Sequence, residues 1–353
     1  MSAQRCYCLT NHHGPLELRE GPVPEPMDGE VLVRVTGAGV CHSDLHIWEG
    51  FYDLGGGKKI SLKDRGIALP MTLGHEIAGE IVKAGPNAKG AKLGTSVVVY
   101  PWIGCGTCAG CKSGDENICL KARSIGVFRD GGYARYVIVP DAKYCIDIPG
   151  LDPAEAAPLA CSGVTTYSAL KKFGPRIQHE PVVIMGAGGL GHMALKILGA
   201  MGGQGAIMVD IDKAKRDAAV AAGALKAIDG SADDAAKQIM DATGGGARMI
   251  LDLVGAASTV NLGLAAATRG TEIVVVGLYG GEINVSVPLF PLRPLAIRGS
   301  YVGNLAELVE IVALAKTGKL KLVPVTRRPL DDANAALMDL KNGRVVGRVV
   351  LVP

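Results

Sequence analysis

Four of the nine cysteines lie close together in a glycine-rich segment, where they could bind a metal ion. They are Cys105, Cys108, Cys111 and Cys119, with two, two and seven residues between successive thiols. Four thiolates at such spacing can surround one zinc ion tetrahedrally, and they leave no coordination position open. An iron–sulfur cluster also uses four cysteines, but no electron-transfer motif accompanies this segment. The spacing therefore predicts a structural zinc site in a lobe at about residues 100–120.

A glycine-rich motif farther along the chain predicts a dinucleotide site. An apolar run at residues 181–185 leads into G-x-G-x-x-G, and a helical pattern follows. The motif comprises Gly186, Gly188, Gly189, Leu190 and Gly191. In this context the glycines let the backbone approach a pyrophosphate, which the N-terminus of the helix attracts. The alternative is a glycine-rich turn that only joins a strand to a helix.

Asp210 indicates which dinucleotide would bind. It ends the next strand-like run, nineteen residues beyond Gly191. A carboxylate in this place accepts hydrogen bonds from the adenosine ribose hydroxyls and repels a 2′-phosphate. The sequence therefore predicts NAD rather than NADP. Asp212 competes for this role, but we expect it to cap a helix or to face solvent.

The elements that must position these residues are of two kinds. Residues 1 to about 155 contain short alternating segments broken by glycine and proline, which predicts a mostly β domain. From about residue 160, apolar runs alternate with alanine-rich helical stretches, which predicts a doubly wound parallel sheet with helices on both faces. The fold class is therefore α/β, with two domains in 353 residues. The pattern alone leaves open which domain the segment after Pro288 completes.

Composition excludes several other classes of function. The net charge is +3, from 37 basic and 34 acidic residues, so nucleic acid and anionic membranes are not expected partners. We see no long uninterrupted apolar run and no signal-peptide core, and we expect a soluble, cytoplasmic protein. In that compartment thiols stay reduced. Cys6, Cys8 and Cys145 have no evident partners and are expected to be ordinary thiols.

Three further segments complete a resemblance to the medium-chain zinc-dependent alcohol dehydrogenase family. They are GVCHSD at residues 39–44, GHE at 74–76 and APLACSGVTTY at 157–167. With the glycine motif and the cysteine lobe, they cover essentially the whole chain in order. The resemblance implies a GroES-like catalytic domain at 1–157 and 292–353, and an NAD-binding Rossmann domain at 158–291. It also implies NAD and two zinc ions per subunit, one catalytic and one structural.

The resemblance places the catalytic zinc ligands at Cys41, His75 and Cys161, with Glu76 as an occasional fourth ligand. Asp44 would accept a hydrogen bond from the far ring nitrogen of His75 and fix its tautomer. Three ligands leave a position for the alcohol oxygen, whose pKa the metal lowers before hydride passes to NAD. Taken singly, the cysteines could be buried small hydrophobic residues and the histidine an ordinary core residue.

A proton relay and further cofactor contacts are also implied by the resemblance. Ser43 would take the released proton and pass it through the nicotinamide ribose to His46. Alternatively, Ser43 caps a helix and His46 is a surface residue. Thr165 would lie by the nicotinamide, Lys215 by the adenosine ribose and Arg348 by the pyrophosphate. Helix packing and solvated surface charge are the respective alternatives for these three.

The family's substrate pocket maps onto five mostly aromatic or aliphatic residues: Trp48, Phe51, Trp102, Leu278 and Tyr301. Such a pocket favours a hydrophobic primary or secondary alcohol and its aldehyde or ketone, although each residue could equally be packing. A polyol dehydrogenase is the nearest rival, but that branch usually replaces the third cysteine ligand with an acid. A non-catalytic NAD-binding relative is a further alternative. We expect a homotetramer, or else a dimer, and an insertion at 53–70 that is either a lid or a mobile loop.

Overall fold

Strands dominate the first part of the chain and alternate with helices in the second, as the sequence predicts. The computed structural model describes residues 3–353. The strands are β1 (Gln4–Leu9), β2 (Leu16–Gly21), β3 (Val31–Gly39), β4 (Phe51–Gly55), β5 (Lys58–Ser61), β6 (Met71–Thr72), β7 (Glu76–Ala84), β8 (Ser96–Val99), β9 (Tyr136–Val139), β10 (Cys145–Asp147), β11 (Val182–Met185), β12 (Ala206–Asp210), β13 (Lys226–Asp229), β14 (Ala247–Asp252), β15 (Ala267–Val275), β16 (Ala296–Gly299), β17 (Val325–Pro329) and β18 (Arg348–Val352). The α-helices are α1 (His42–Glu49), α2 (Ala109–Lys112), α3 (Pro153–Ala156), α4 (Ser162–Lys171), α5 (Gly189–Ala200), α6 (Lys213–Ala221), α7 (Ala235–Ala242), α8 (Ala257–Ala265), α9 (Leu289–Leu292), α10 (Leu305–Lys316) and α11 (Ala333–Lys341). None of the helices in this described range is both long and apolar enough to cross a membrane.

The first of two compact units contains most of the strand-rich part of the chain. It comprises the chain up to Phe51, Ser61–Val164 and Asn304–Pro353. Its larger sheet has the order β10-β8-β7-β3-β18-β17, with β9 also paired to β3, and its smaller sheet has the order β2-β1-β6. Apolar β-branched residues of β3 and β8 supply much of the buried surface. This is the mostly β, GroES-like domain that the sequence predicts.

Three strands of the larger sheet bring distant residues to one place. β3 and β7 are antiparallel, and Gly39 at the end of β3 lies opposite Glu76 at the start of β7. β18 is antiparallel to β3 as well, with Val350 opposite Gly39. Residues that follow β3 and residues that open β7 and β18 therefore meet at the same end of the sheet. This register brings the segment around Cys41 close to His75 and to Arg348.

The second unit is built around a six-stranded parallel sheet. It comprises Tyr52–Ile60 and Thr165–Gly303, and the strand order is β13-β12-β11-β14-β15-β16. Its strands carry nearly continuous apolar runs, because helices cover both faces of such a sheet. Val183, Ile207 and Ile250 are among the residues of its fully buried core. The order reverses direction between β11 and β14, which is where dinucleotides bind in sheets of this topology.

The boundaries of the two units differ from the predicted domain boundaries. The predicted catalytic tail begins at residue 292, but β16 pairs with β15 as the last strand of the parallel sheet. The chain therefore rejoins the first unit only at Asn304. Part of the predicted insertion at 53–70 also groups with the second unit, as the hairpin β4–β5. Backbone pairing of β16, which apolar patterning does not reveal, accounts for the first difference.

Candidate active site and metal centres

The start of α1 places a thiol and a carboxylate beyond the end of β3. Cys41 is the residue immediately before α1, and its extended backbone directs its N–H to Asp44 Oδ2 at 2.9 Å. Asp44 lies in the first turn of the helix, where the helix dipole favours a negative charge. Both residues are buried, since Cys41 is 4% exposed and Asp44 is 0% exposed. Local helix geometry therefore fixes their relative positions.

Asp44 accepts hydrogen bonds from several directions. Its Oδ2 also accepts from the Tyr133 hydroxyl at 3.0 Å, and its Oδ1 accepts from the Gly74 N–H at 3.2 Å. The same Oδ1 lies 3.2 Å from His75 Nδ1. A buried carboxylate needs partners of this kind to offset its lost hydration. The contact expected between Asp44 and His75 is present, and it orients the imidazole with Nδ1–H toward the carboxylate.

The imidazole and two thiols form a cluster suited to a metal ion. His75 Nε2 is buried and has no hydrogen-bond partner among the described residues. The Sγ atoms of Cys41 and Cys161 are 4.0 Å apart. Two thiolates at about 2.3 Å from one tetrahedral zinc would be about 3.8 Å apart. Because the ligand atoms of these residues and Glu76 all lie within 4.8 Å of one another, the donor set fits zinc.

Contact between the buried side chains shifts their pKa values in opposite directions. A hydrogen bond from Cys161 lowers the pKa of Cys41 well below its usual value, and the same contact and burial raise the pKa of Cys161. Burial lowers the pKa of His75, but Asp44 and Cys41 outweigh burial and raise that pKa well above its usual value. The cluster thus concentrates negative charge around the imidazole. Such a site stabilises a cation, because cysteine binds zinc as the thiolate.

Glu76 opens β7 beside the cluster and is 0% exposed. Its Oε1 forms an ion pair with Arg348 and accepts from the Ser162 N–H at 3.3 Å. Its Oε2 occupies the space next to Gly39, where an added Cβ would overlap it. Burial raises the pKa of Glu76 to about 7, although the charge of Arg348 opposes this shift. The carboxylate is therefore near enough to join the metal cluster, but a guanidinium is bound to it.

Arg348, which the resemblance places by the pyrophosphate, is buried and ion-paired in this structure. It is the first residue of β18, it is 5% exposed, and its guanidinium pairs with the buried Glu76. Removing either partner of such a pair would leave a buried charge uncompensated, at a cost of about 3–5 kcal/mol. In this structure Arg348 therefore stabilises the charge of Glu76.

Ser43 and His46 lie on one face of α1, because they are three residues apart. The Ser43 hydroxyl is 3.9 Å from Cys41 Sγ. The side chains of Ser43 and His46 are both half-buried. His46 Nδ1 lies 3.9 Å from a carboxylate oxygen of Glu49, and burial lowers the pKa of His46. The residue that precedes α1 is Cys41, so Ser43 does not cap this helix.

The four remaining thiols of the predicted lobe also converge. The Sγ atoms of Cys108 and Cys111 are 3.4 Å apart, those of Cys108 and Cys119 are 3.8 Å apart, and those of Cys105 and Cys111 are 4.0 Å apart. Backbone N–H groups donate to the thiols, among them Lys121 N–H to Cys119 Sγ at 3.3 Å. This cluster fits the closed four-thiolate zinc site that the spacing predicts.

Glu116 ties this lobe to the sheet of the first unit, and the sequence did not single it out. Its Oε2 accepts from the Gly104 N–H at 3.1 Å and from the Tyr144 hydroxyl at 2.7 Å. Lys143 Nζ lies 3.4 Å from its other oxygen. Burial raises the pKa of Glu116, but these hydrogen bonds outweigh burial and lower it. The only feature of the sequence that could have indicated this role is the position of an acid within a cysteine-rich loop.

The glycine motif of the second unit has the predicted strand–turn–helix context. β11 ends at Met185, Gly186 adopts a φ of +97°, and α5 begins at Gly189. A Cβ added to Gly191 would overlap the carbonyl of Gly186, so only glycine lets the helix approach the strand so closely. The space in front of Gly188 is open. A pyrophosphate can therefore approach the backbone at the start of α5.

Asp210 ends β12 and reaches back to the glycine motif. Its Oδ2 accepts from the Ala187 N–H at 2.7 Å, and its Oδ1 accepts from the Asp212 N–H at 2.9 Å. Asp212 caps α6 by accepting from the Ala214 N–H at 2.8 Å, as expected. Lys215 lies in the first turn of α6 with a half-buried side chain. The carboxylate of Asp210 is thereby held at the carboxyl edge of the sheet.

Asp252 is a second acid at this edge, and sequence reasoning missed it. It ends β14, is 0% exposed, and accepts from the N–H groups of Val254 and Gly255, each at 2.9 Å. The Thr259 hydroxyl donates to its other oxygen at 2.7 Å. Burial raises the pKa of Asp252. These bonds shape a loop in which Val254 packs next to Gly186, so Asp252 positions the wall of the glycine motif.

The predicted pocket residues of the first unit differ in their surroundings. Trp102 is 4% exposed, its ring lies 5.3 Å from that of His75, and its Nε1 donates to the Ala160 carbonyl at 3.0 Å. Trp48 donates instead to the Gly14 carbonyl at 2.6 Å, and Lys341 Nζ lies 4.1 Å from the centre of its ring. Trp102 is therefore directly beside the metal cluster, whereas the contacts of Trp48 are those of a packing residue. Phe51, the third of these residues, is half-buried.

The second unit contains the other expected cofactor and pocket residues. Thr165 is 5% exposed, and its hydroxyl has no hydrogen-bond partner among the described residues. Leu278 is 46% exposed and Tyr301 is 48% exposed. The hairpin β4–β5 packs on the loop after β15, since a Cβ added to Gly55 would lie 2.7 Å from Gly281. An ion pair of 3.5 Å between Lys58 and Glu282 joins the same two segments.

Family models and curated relatives match both parts of the chain. A model described as the alcohol dehydrogenase GroES-like domain matches residues 27–150, and one described as zinc-binding dehydrogenase matches residues 189–317. An NAD-dependent alcohol dehydrogenase of Sulfurisphaera tokodaii is 40% identical over 340 residues, which cover 96% of this chain and 97% of the relative. A D-arabinose 1-dehydrogenase (NADP(+)) of Saccharolobus solfataricus is 38% identical over 359 residues, which cover 100% of this chain and 99% of the relative.

The fold has a close counterpart among solved structures. The alcohol dehydrogenase of Aeropyrum pernix superposes with a TM-score of 0.89 at 33% identity, covering 99% of this chain and 100% of that one. The similarity thus extends over nearly the whole of this chain. The chain therefore belongs to the medium-chain zinc-dependent alcohol dehydrogenase family.

Proposed function

We propose that this chain is a zinc-dependent dehydrogenase that transfers hydride reversibly between a primary or secondary alcohol and NAD. The observation that carries the proposal is the buried cluster of Cys41, His75 and Cys161, in which His75 Nε2 has no hydrogen-bond partner within residues 3–353. Two thiolates and one imidazole form a ligand set typical of a catalytic zinc with an open position. Glu76 is close enough to the cluster to act as an occasional ligand, although Arg348 binds its carboxylate.

Bound zinc would polarise the alcohol oxygen, and NAD would accept the hydride. The residues of the chain prepare this chemistry. Asp44 accepts from His75 Nδ1, which would leave the lone pair of Nε2 for a bound metal ion. Trp102 covers one side of the imidazole with apolar surface. Water is thereby excluded from part of the ligand shell, and electrostatic interactions within it are strengthened.

Proton release would use Ser43 and His46, which share a face of α1. Ser43 supplies a hydroxyl near Cys41. Burial lowers the pKa of His46, so its imidazole is neutral at neutral pH and can accept a proton. We expect His46→Gln to slow turnover and to be partly rescued by high concentrations of imidazole buffer. Unchanged turnover with no buffer effect would exclude His46 from the path.

NAD is the cofactor that the acidic edge of the parallel sheet favours. Asp210 is held next to the glycine motif by two backbone N–H groups. Arg216, a cation that could attract a 2′-phosphate, is paired with Asp229 at 2.9 Å. The remaining contacts would come from Lys215 at the ribose and Thr165 at the nicotinamide. We expect Asp210→Ala to reduce the preference for NAD over NADP, and initial rates with both cofactors measure this preference directly.

Asp252 would act on NAD through the loop that it shapes. Asp252→Ala is expected to raise the KM for NAD and the Kd for NADH by about tenfold, as loss of a hydrogen bond to a charged group would. Asp252→Asn should restore most of the affinity, because an amide can accept from the two N–H groups and donate to Thr259. Fluorescence titration with NADH, with zinc content as the control, distinguishes this effect from general unfolding. Equal affinity in all three proteins would refute the assignment.

The substrate is expected to be a hydrophobic alcohol, with Trp102, Phe51, Leu278 and Tyr301 as the candidate pocket residues. One observation favours a sugar as the second candidate, since a D-arabinose 1-dehydrogenase is among the relatives. An initial-rate panel of aliphatic, benzylic, cyclic and polyhydroxy substrates, with NAD and with NADP, decides between them. Activity that survives verified removal of zinc from the His75 cluster would overturn the proposed chemistry.

The assembly is proposed to be a homotetramer. Large apolar side chains of the second unit are exposed around β16, among them Val287 at 77% and Leu292 at 65%. Patches of this kind commonly mark interfaces between proteins. Sedimentation equilibrium of the zinc-loaded protein measures the mass, and a dimer is the alternative outcome. We place the enzyme in the cytoplasm, because a reducing compartment keeps its nine cysteines available as thiols.

A further inference from the structure

Two cysteines outside both metal clusters are close enough to act together. Cys6 and Cys8 lie two residues apart on β1, so their side chains point to the same face of the small sheet. Their Sγ atoms are 3.6 Å apart. This distance falls between the 3.4 Å and 3.8 Å that separate thiols of the four-cysteine lobe. The pair therefore has the spacing of two sulfurs that share one bound atom.

We propose that Cys6 and Cys8 form a dithiol site for a trivalent arsenical, whose arsenic atom bonds to both sulfurs. At a sulfur–ligand distance of about 2.3 Å, sulfurs 3.6 Å apart subtend an angle of about 100° at the bridging atom. That angle suits a pyramidal, three-coordinate centre and not a linear two-coordinate ion. The site takes an organoarsenic oxide with loss of one water, as two S–H bonds and the As=O bond are replaced by two As–S bonds, without oxidation.

The surroundings favour a ligand that brings its own third substituent. Over residues 3–353, the only groups of three or more potential ligands are the two clusters already described. Near Cys8 lies Thr72 Oγ1, at 3.2 Å from the sulfur, and the carboxylate of Asp130, which accepts from the Thr72 N–H, does not complete a ligand group with the two thiols among the described residues. Two thiols and a hydroxyl make a poor cage for a bare zinc ion, which prefers four ligands. An arsenical supplies a carbon substituent and needs only the two sulfurs.

The pair is also prepared for reaction. The hydrogen bond from Cys6 lowers the pKa of Cys8, so Cys8 is the thiol that gives up its proton more readily to attack the arsenic. Cys6, whose pKa the same contact raises, retains its proton and is half-buried, which leaves the site accessible. A disulfide fits less well, because residues two apart on a strand are separated by about 6.6–6.8 Å between Cα atoms. That separation is at the upper limit for a disulfide bond.

Phenylarsine oxide added to the zinc-loaded protein tests the proposal. Intact mass should show one phenylarsenic group per chain with no zinc released, and a dithiol, but not a monothiol, should remove it. Trypsin cleavage after Arg5 and Arg19 would give a peptide containing Cys6 and Cys8 and no other cysteine. Both thiols of that peptide should be protected from iodoacetamide in the adduct.

Variants and zinc content make the test decisive. Cys6→Ser and Cys8→Ser should each abolish the adduct, whereas Cys145→Ser, which removes a lone thiol on β10, should leave it intact. Should either β1 variant fail to fold, protection of the peptide in the wild-type protein still locates the site. The proposal is overturned if no adduct forms, if the adduct persists without Cys6, or if its formation expels zinc, which would assign the arsenic to the zinc ligands.

Discussion

The two candidate metal clusters of this chain differ in where their ligands come from and in how deeply they are buried. In the lobe, all four ligands lie between Cys105 and Cys119, and three of them are half-buried. In the other cluster, Cys41, His75 and Cys161 come from three separate segments and are 0–6% exposed. The thiols of the lobe are brought together by a single loop. The residues of the other cluster come together only when β3 and β7 have paired in the correct register.

The groups behind the ligands differ as well. Backbone N–H groups support the thiolates of the lobe, as in the bond from Lys121 to Cys119. The catalytic cluster is supported by buried carboxylates, since Asp44 orients His75 and Glu76 pairs with Arg348. A closed shell of four thiolates contributes stability, whereas an open shell needs a precise orientation of its imidazole. This contrast predicts that substitutions in the two clusters separate activity from stability.

The largest effect on turnover is expected for His75→Ala. We expect kcat/KM to fall at least about a thousandfold, because polarisation by a bound metal contributes several kcal/mol and each 1.4 kcal/mol is about tenfold. The zinc content should drop from about two ions per chain to about one. Elemental analysis and initial rates measure both quantities. His179→Ala, which removes an exposed histidine, is the matched control and should change neither.

A smaller loss is expected when the partner of His75 is altered. Asp44→Asn should reduce zinc affinity or activity by about 10–100-fold, the range typical for groups that orient a metal ligand. Tyr133→Phe removes one of the hydrogen bonds to Asp44 and should cost less. Chelator titration followed by activity ranks the two variants. Wild-type zinc affinity in both would mean that His75 is oriented without Asp44.

Substitution in the lobe should spare turnover and reduce stability. Cys108→Ser leaves three thiolates, so we expect loss of about one zinc per chain and a lower Tm, with kcat per folded chain unchanged. Differential scanning calorimetry and elemental analysis test this result. Unchanged metal content would contradict the structural zinc assignment, and a large loss of kcat would contradict the separation between the two clusters.

The smallest effect is expected for the anchor of the lobe. Glu116→Gln should lower the free energy of unfolding at neutral pH by about 1–3 kcal/mol, since hydrogen bonds to a charged acceptor are replaced. The folded-state pKa of Glu116 is lowered, so its contribution is present above the ordinary carboxyl pKa and is lost as pH falls through the folded value. Denaturation from neutral to acid pH should therefore show wild type and variant converging. A difference that stays constant over this range would contradict the assignment.

Sequence spacing predicted which side chains come together where these residues lie near one another in the chain. The lobe, the glycine motif and Asp210 each depend on residues near one another or at the end of a recognisable strand. Resemblance to a family supplied the ligands that are far apart. Neither route showed that Arg348 pairs with Glu76, because this contact depends on the pairing of β18 with β3 from opposite ends of the chain. The same limit applies to the domain boundary, which depends on the pairing of β16.

The roles of two buried acids, Asp252 and Glu116, were also not predicted from the sequence. Asp252 follows an apolar run just as Asp210 does, yet its side chain turns into the protein to bind the loop of Val254 and Gly255. Glu116 similarly accepts from a hydroxyl on a distant segment. Sequence pattern places such residues at strand ends or in loops. It does not reveal which donors will surround the carboxylate after folding.

The contact between Gly39 and Glu76 limits how the active site can change. The carboxylate fills the place of a side chain at position 39, so any larger residue there would have to displace it from Arg348. These positions should therefore vary together: a residue larger than glycine at 39 becomes acceptable only with a shorter residue at 76. A mutational library that changes position 39 while position 76 stays glutamate would consist largely of inactive variants. Sampling them as a pair would expose the alternatives that single substitutions hide.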